Sequence, residues 1–261
     1  ARSFVRAYVT ITDSNMSLLP YFCKYYRDYG GVTEIFLCVF GTEEDQRIAS
    51  CYIHAADLEL TCGMVFPTES FLAKRRVDYY RMVHPEGQWA YFTDLDEFPS
   101  HEAFEAVRAR AKDRKVFDEA ASGRTPYVAG MWLDRIAADG ACHPVDASLS
   151  LDDQYPMCCC ARKLMKLGTR CGYIAAPFAQ YSHHPSACRI GRKHWKKATK
   201  YDLHHFKWQE NVVDRLQNRK RRVIAAGIRS QPGHVKRQLA YLAKNGGFPL
   251  HHLKPATRLG I

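Results

Sequence analysis

The segment Thr93-Asp94-Leu95-Asp96-Glu97-Phe98 places three carboxylates within four consecutive positions. Like charges this close repel one another unless a cation sits among them. Alternate residues of an extended chain face the same side, so Asp94 and Asp96 can share a ligand. Carboxylate oxygens suit a hard divalent ion, Mg2+ or Mn2+. Such an ion takes one or two protein carboxylates and fills its other positions from substrate phosphates. The apolar run Ala90-Tyr91-Phe92 leads into this segment and Phe98-Pro99 closes it, unlike a merely solvated acidic turn. Aspartyl-phosphate phosphatases also use Asp-x-Asp, but on their first strand and with Thr or Val where this chain has Phe98. That use is set aside.

A cation held by carboxylates and phosphates takes a further ligand, and histidine is the natural donor. The pairs His183-His184 and His204-His205 offer four candidates. His204 and His205 fall on a predicted strand and so face opposite sides. Phosphate charge needs other cations as well. Lys74 and Arg75 lie on the helix predicted just before the acidic segment, and Lys166 and Lys207 lie beyond it.

The elements that must position these groups follow from patterning. Residues 4–12 are rich in β-branched and aromatic side chains and read as a strand. Ser17 is placed to cap a helix in which Leu19, Phe22, Cys23 and Tyr26 share one face, and Gly30-Gly31 end it. Residues 34–40 form an apolar run typical of a buried parallel strand. Helices are predicted near 43–54, 70–84 and 102–115, with strands at 90–93 and 127–133. Residues 140–190 read as irregular. Two helices follow, one ending at Gly227 and one at Gly246. The β-α-β order at the start predicts a parallel sheet, with ligands at the carboxyl ends of its strands. The fold class is α/β, with a mostly parallel central sheet and a helical, basic C-terminal region. Residues 1–210 are expected to form the main domain and 211–261 a helical appendage.

The chain has 261 residues, 46% of them hydrophobic, which is enough for a sizeable core. No apolar run reaches the roughly 18 residues of a membrane span, and the first residues carry no secretory pattern. Because Ala1 stands where a start methionine would, a trimmed anchor stays open. The ten cysteines include no C-x-x-C pair and read as reduced structural thiols of a cytoplasmic protein. The net charge of +11 is concentrated: residues 189–237 hold 15 Lys and Arg against three Asp and Glu. Such a stretch either meets a polyanion or forms a solvated face.

Several pieces, weak singly, are more specific in their order: Leu18-Leu19-Pro20-Tyr21-Phe22 to Tyr29-Gly30, Glu34-Ile35-Phe36-Leu37, Asp94-Leu95-Asp96-Glu97-Phe98, Trp132-Leu133-Asp134-Arg135 with Asp139-Gly140, Gln154-Tyr155-Pro156, and His204-His205-Phe206-Lys207. With them the chain resembles bacterial family 2-like glycosyltransferases bearing a D-x-D-E-F motif, related in pattern to family 92. It differs from the group at Asp13-Ser14-Asn15 and at Gly41-Thr42-Glu43-Glu44-Asp45. The resemblance implies a GT-A fold, a divalent metal, and a nucleotide-diphosphate sugar donor, with a UDP-sugar first in line. It implies donor contacts at Thr10, Thr12, Asp13, Asp45, Lys74 and Asp94. The metal would be held by Asp94 and Asp96 with a histidine of the later half, His183 or His205 first. The acceptor would be a saccharide or lipid-linked saccharide, met near the inner face of an anionic membrane. Transfer would be inverting, which needs a base for the acceptor hydroxyl. Asp134 is the first candidate and Asp153 the second. An ion pair with Arg135 is the structural alternative for Asp134.

Two other readings compete. A nucleic-acid-binding protein would use the 189–237 stretch and stack bases on Trp195, Tyr201, Phe206 and Trp208, but it leaves the acidic segment unexplained, so no nucleic-acid partner is expected. A nucleotidyltransferase or phosphohydrolase would use the same carboxylates for a different reaction.

Overall fold

The computed structural model describes residues 5–11, 16–39, 43–52, 58–60, 89–111, 128–165, 171–176, 200–225 and 232–261. These form two compact units. The first draws on Ala1–Cys62, Pro67–Met131 and Cys171–Leu203, the second on Trp132–Arg170 and His204–Ile261. The chain therefore passes from one unit to the other inside two strands.

In the first unit, β1 (Val5–Ile11) is followed by a 3-10 turn (Met16–Leu18), α1 (Leu19–Asp28) and β2 (Val32–Val39). The α1 face that packs inward carries Leu19, Phe22, Cys23, Tyr25 and Tyr26, at the spacing of one helix face. Leu18 rather than Ser17 holds the cap position, with no side-chain hydrogen bond, and Pro20 sits in the first turn, where its missing N–H costs nothing. The chain turns at Gly31 with φ +65. Next come α2 (Glu43–Ser50), β3 (Leu58–Leu60), β4 (Ala90–Asp94), β5 (Glu97–Pro99) and α3 (His101–Ala111).

Strand β6 (Val128–Ile136) begins in the first unit and ends in the second, as does β9 (Lys200–His205). Strand β8 (Cys171–Ala176) pairs with the first half of β6 and with β4. The first unit's strand order is β8-β4-β1-β2-β3, and β5 pairs with β9.

The second unit pairs the later half of β6 with β7 (Met157–Cys159), and β7 with β10 (Lys254–Pro255). It also holds α4 (Leu151–Gln154), α5 (Ala161–Leu164), α6 (Val212–Ala225) and α7 (Pro232–Asn245). Its core gathers Ile136, Cys159, Met165, Trp208, Val212, Leu216, Val235, Leu242 and Phe248.

Pairing is parallel between β1 and β2, β1 and β4, and β2 and β3. It is antiparallel between β4 and β8, β6 and β8, β6 and β7, and β7 and β10. This corrects the expected mostly parallel sheet: the α/β layout is mixed, with parallel pairing along β4-β1-β2-β3 and antiparallel pairing along β4-β8-β6-β7-β10. Strand β8 reads Cys-Gly-Tyr-Ile-Ala-Ala, and its Gly and Ala are poor strand formers. That composition hid an antiparallel strand within a stretch read as irregular.

Candidate functional site

Strand β4 ends on Asp94, Leu95-Asp96 make a turn, and Glu97 opens β5. In the parallel register Thr10 of β1 lies beside Asp94 of β4. The strand ends expected to carry donor contacts are therefore neighbours. Asp94 and Asp96 are half-buried. Glu97 is 2% exposed, and its Oε2 accepts from the Asp94 N–H at 3.2 Å. The three carboxylates thus divide by role: Glu97 folds inward and closes the turn, whereas Asp94 and Asp96 stand at its rim.

An aromatic cluster fixes that turn from beneath. The Tyr26 hydroxyl donates to the Glu97 carbonyl at 3.0 Å, and that of Tyr25 to the Pro99 carbonyl at 2.6 Å. Phe22 stacks on Tyr26 with centroids 4.1 Å apart, and Phe98 meets Phe22 edge-on at 5.9 Å. Burial pushes the Tyr26 hydroxyl well above its usual range, so it stays a neutral donor. Gly30 lets the chain leave α1 tightly, because a Cβ there would meet the helix's own Tyr26 carbonyl at 2.6 Å.

Asp45 is buried in the first turn of α2. Thr12, Asp13, Lys74, Arg75, Lys166, His183, His184 and Trp195 lie outside the described residues. Among the described residues, no three His, Cys, Asp or Glu side chains form a ready-made metal cluster.

The second unit holds the remaining candidates. Asp134 lies within β6, not after it, and is 2% exposed. Its Oδ1 lies 2.8 Å from His205 Nδ1 and accepts from Trp208 Nε1 at 2.8 Å. Its Oδ2 accepts from the Ala161 N–H at 3.0 Å. The His205 ring stacks on Trp132 at 4.8 Å and 14°. A base must present a lone pair to the proton it takes. Both Asp134 oxygens take part in hydrogen bonds inside the second unit, and the nearest titratable partner is His205.

The ion-pair alternative also resolves differently. Adjacent strand residues face opposite sides, so Arg135 points away from Asp134. It pairs instead with Asp152 at 2.9 Å, with side chains 1% and 0% exposed. Arg135 also donates to the Tyr155 carbonyl at 2.7 Å and the Thr257 carbonyl at 3.1 Å, and lies 3.3 Å from His204 Nδ1. Since β9 pairs with β6, the two strands align Asp134 with His205 and Arg135 with His204. The expected opposition of His204 and His205 is what this arrangement has. Asp152 Oδ2 accepts from the N–H groups of Leu259 and Gly260 at 2.8 and 2.7 Å. Sequence reasoning missed this use of Asp152. Two adjacent carboxylates in α4, Asp152 and Asp153, give no sign in the sequence of which one is buried.

Asp153 is exposed. Ser150 caps α4, its Oγ accepting from the Asp153 N–H at 3.1 Å and donating to the Asp153 carboxylate at 2.6 Å, and Asp153 pairs with Arg258 at 2.8 Å. The Ser150 hydrogen bond and then Arg258 hold its carboxyl below the usual range.

Among the aromatics that nucleic-acid stacking would need, Phe206 and Trp208 are each 1% exposed. They are core residues and cannot receive a base. Among the described residues, no helix is long and apolar enough to cross a membrane.

No protein-family model matches this sequence, and no curated protein matches it. Solved structures match at low similarity. A 4-diphosphocytidyl-2C-methyl-D-erythritol synthase from Anaerococcus prevotii DSM 20548 is 15% identical at a TM-score of 0.31, over 57% of this chain and 61% of its own. S. aureus TarS is 12% identical at 0.34, over 92% of this chain and 43% of its own. The inositol-1-phosphate CTP transferase from T. maritima is 10% identical at 0.30, over 56% and 61%. This chain thus spans less than two thirds of each, and similarity at this level assigns neither a family nor an activity.

Proposed function

We propose that this chain is a metal-dependent glycosyltransferase of GT-A type. In this reading it moves a sugar from a nucleotide-diphosphate donor, a UDP-sugar first in line, to a saccharide or lipid-linked acceptor. The observation that carries the reading is the end of β4: Asp94 and Asp96 stand at the rim of an internally braced turn, beside the end of parallel strand β1. Ligands gather at the carboxyl ends of parallel strands.

Asp94 and Asp96 would hold Mg2+ or Mn2+. Both are oxygen donors at a half-buried position, which fits a hard ion that keeps places for phosphate oxygens. When bound, the metal neutralises the departing diphosphate. Strand-end groups around Thr10 would face the nucleotide. Helix α6, with five Lys and Arg to one Asp, suits contact with an anionic surface near the acceptor.

Thermal unfolding with UDP, GDP, CMP and ADP, each with and without Mn2+, tests the reading. A ligand that binds only the folded state raises its stability by RT ln(1 + [L]/Kd). One diphosphate is expected to raise Tm only with Mn2+, and Asp96→Ala to abolish that shift without lowering the ligand-free Tm. An undiminished shift in Asp96→Ala would sink the metal site. A shift with CMP but no diphosphate would favour nucleotidyl transfer.

A further inference from the structure

We propose that Asp134 is a positioning residue that fixes His205 as the tautomer with hydrogen on Nδ1, leaving Nε2 as the ring's only acceptor. The argument is a count of donors. Trp208 Nε1 can only donate, and so can the Ala161 backbone N–H. Between them they point at both oxygens of Asp134, at 2.8 and 3.0 Å. Both oxygens therefore act as acceptors. His205 Nδ1 lies 2.8 Å from Oδ1. A bare nitrogen there would set two lone pairs against each other, and a hydrogen on Nδ1 removes the conflict.

The ring is also held in orientation. Trp132 covers one of its faces at 4.8 Å, nearly parallel, which fixes the plane of the ring, and the 2.8 Å contact of Nδ1 with Asp134 sets which way round it lies. Neither Asp134 nor His205 is an exposed side chain that could sample alternatives: they are 2% and 8% exposed. Buried carboxylates that orient a histidine in this way set which nitrogen is available for chemistry. In the neutral ring Nε2 then carries the acceptor lone pair and cannot donate to a phosphate oxygen. This inference stands whether or not the chain is a glycosyltransferase, because it concerns the dyad alone.

The test is 15N NMR of the full chain labelled in histidine, with His205 assigned by the loss of its signals in His205→Gln. Nitrogens bearing hydrogen and bare nitrogens resonate far apart, so the tautomer reads directly. In the unaltered protein, Nδ1 is expected at the hydrogen-bearing position and Nε2 at the bare one. Asp134→Leu should move His205 toward the tautomer with hydrogen on Nε2, which histidine favours in water. A bare Nδ1 in the unaltered protein would place the shared hydrogen on Asp134 and overturn the proposal, even if Asp134→Leu fails to fold. An Nδ1 hydrogen that persists in a folded Asp134→Leu would overturn it too, since something else would then fix the ring.

Discussion

Neighbouring charges in one strand serve opposite faces here, and their environments predict different responses to mutation. The Arg135–Asp152 pair is fully buried and hydrogen-bonded on every side. Removing one partner strands the other charge in the interior, at a cost of about 3–5 kcal/mol. Asp152→Ala is therefore expected to lower the urea midpoint strongly. Asp153→Ala, one residue on, should change it little, because Asp153–Arg258 is an exposed, solvent-screened pair. Equal effects would show that the burial pattern in α4 has been misjudged. Cysteines divide in the same manner. Burial raises the thiols of Cys23 and Cys142 to about 11, whereas Cys51 is exposed. At pH 8, alkylation followed by mass spectrometry should label Cys51 well before those two, since only the thiolate reacts.

The elements that place the candidate site were legible to different degrees. Helix α1, strand β2 and strand β4 follow from apolar spacing, because each buries one face or both in the ordinary way. Strand β6 outran its predicted end at residue 133, since Asp134 and Arg135 look like a loop start to any reading by hydropathy. Only their partners, drawn from Trp208, Asp152 and Tyr155 far along the chain, let the strand carry two charges inward. The acidic segment was legible as a cluster. The inward turn of Glu97 was not, because its partners depend on the geometry of the turn. Glycines give a test at this scale. Gly140 has φ +79, and a Cβ there would meet the Phe248 carbonyl at 2.1 Å, whereas Gly31 at φ +65 has open space. Gly31→Ala should cost about 1–2 kcal/mol for the left-handed backbone alone. Gly140→Ala must also part the contact in which the Phe248 N–H donates to the Gly140 carbonyl at 2.8 Å, so its loss in a denaturant titration should be clearly larger.

Across the whole molecule, titration sets the pH range of stability from two sides. Asp139, Asp146 and Asp153 are all held below the usual carboxyl range: Asp139 by the Ala141 N–H and His143, Asp146 by Ser148, and Asp153 by Ser150 and Arg258. A depressed carboxyl contributes stability above its unfolded pKa, near 4, and loses it as pH falls through the folded value. The raised thiols act with the opposite sign. Their contribution is whole below the unfolded value, near 8.5, and fades as pH climbs toward about 11. Denaturation midpoints should therefore be flat from about pH 5 to 8 and fall beyond either end. A midpoint that kept rising above pH 9 would contradict the burial of Cys23 and Cys142.

The doublet His204-His205 gives β9 an unusual tolerance of error. Most strands that carry one chemical group lose it to the wrong face when an insertion or deletion shifts them by a single residue. Here a slip that advances His204 into the place of His205 would still set an imidazole against Asp134 and under Trp132. The doublet is thus a spare copy written beside the original. A lineage could have passed through a frame-preserving one-codon change in this strand and kept the dyad intact.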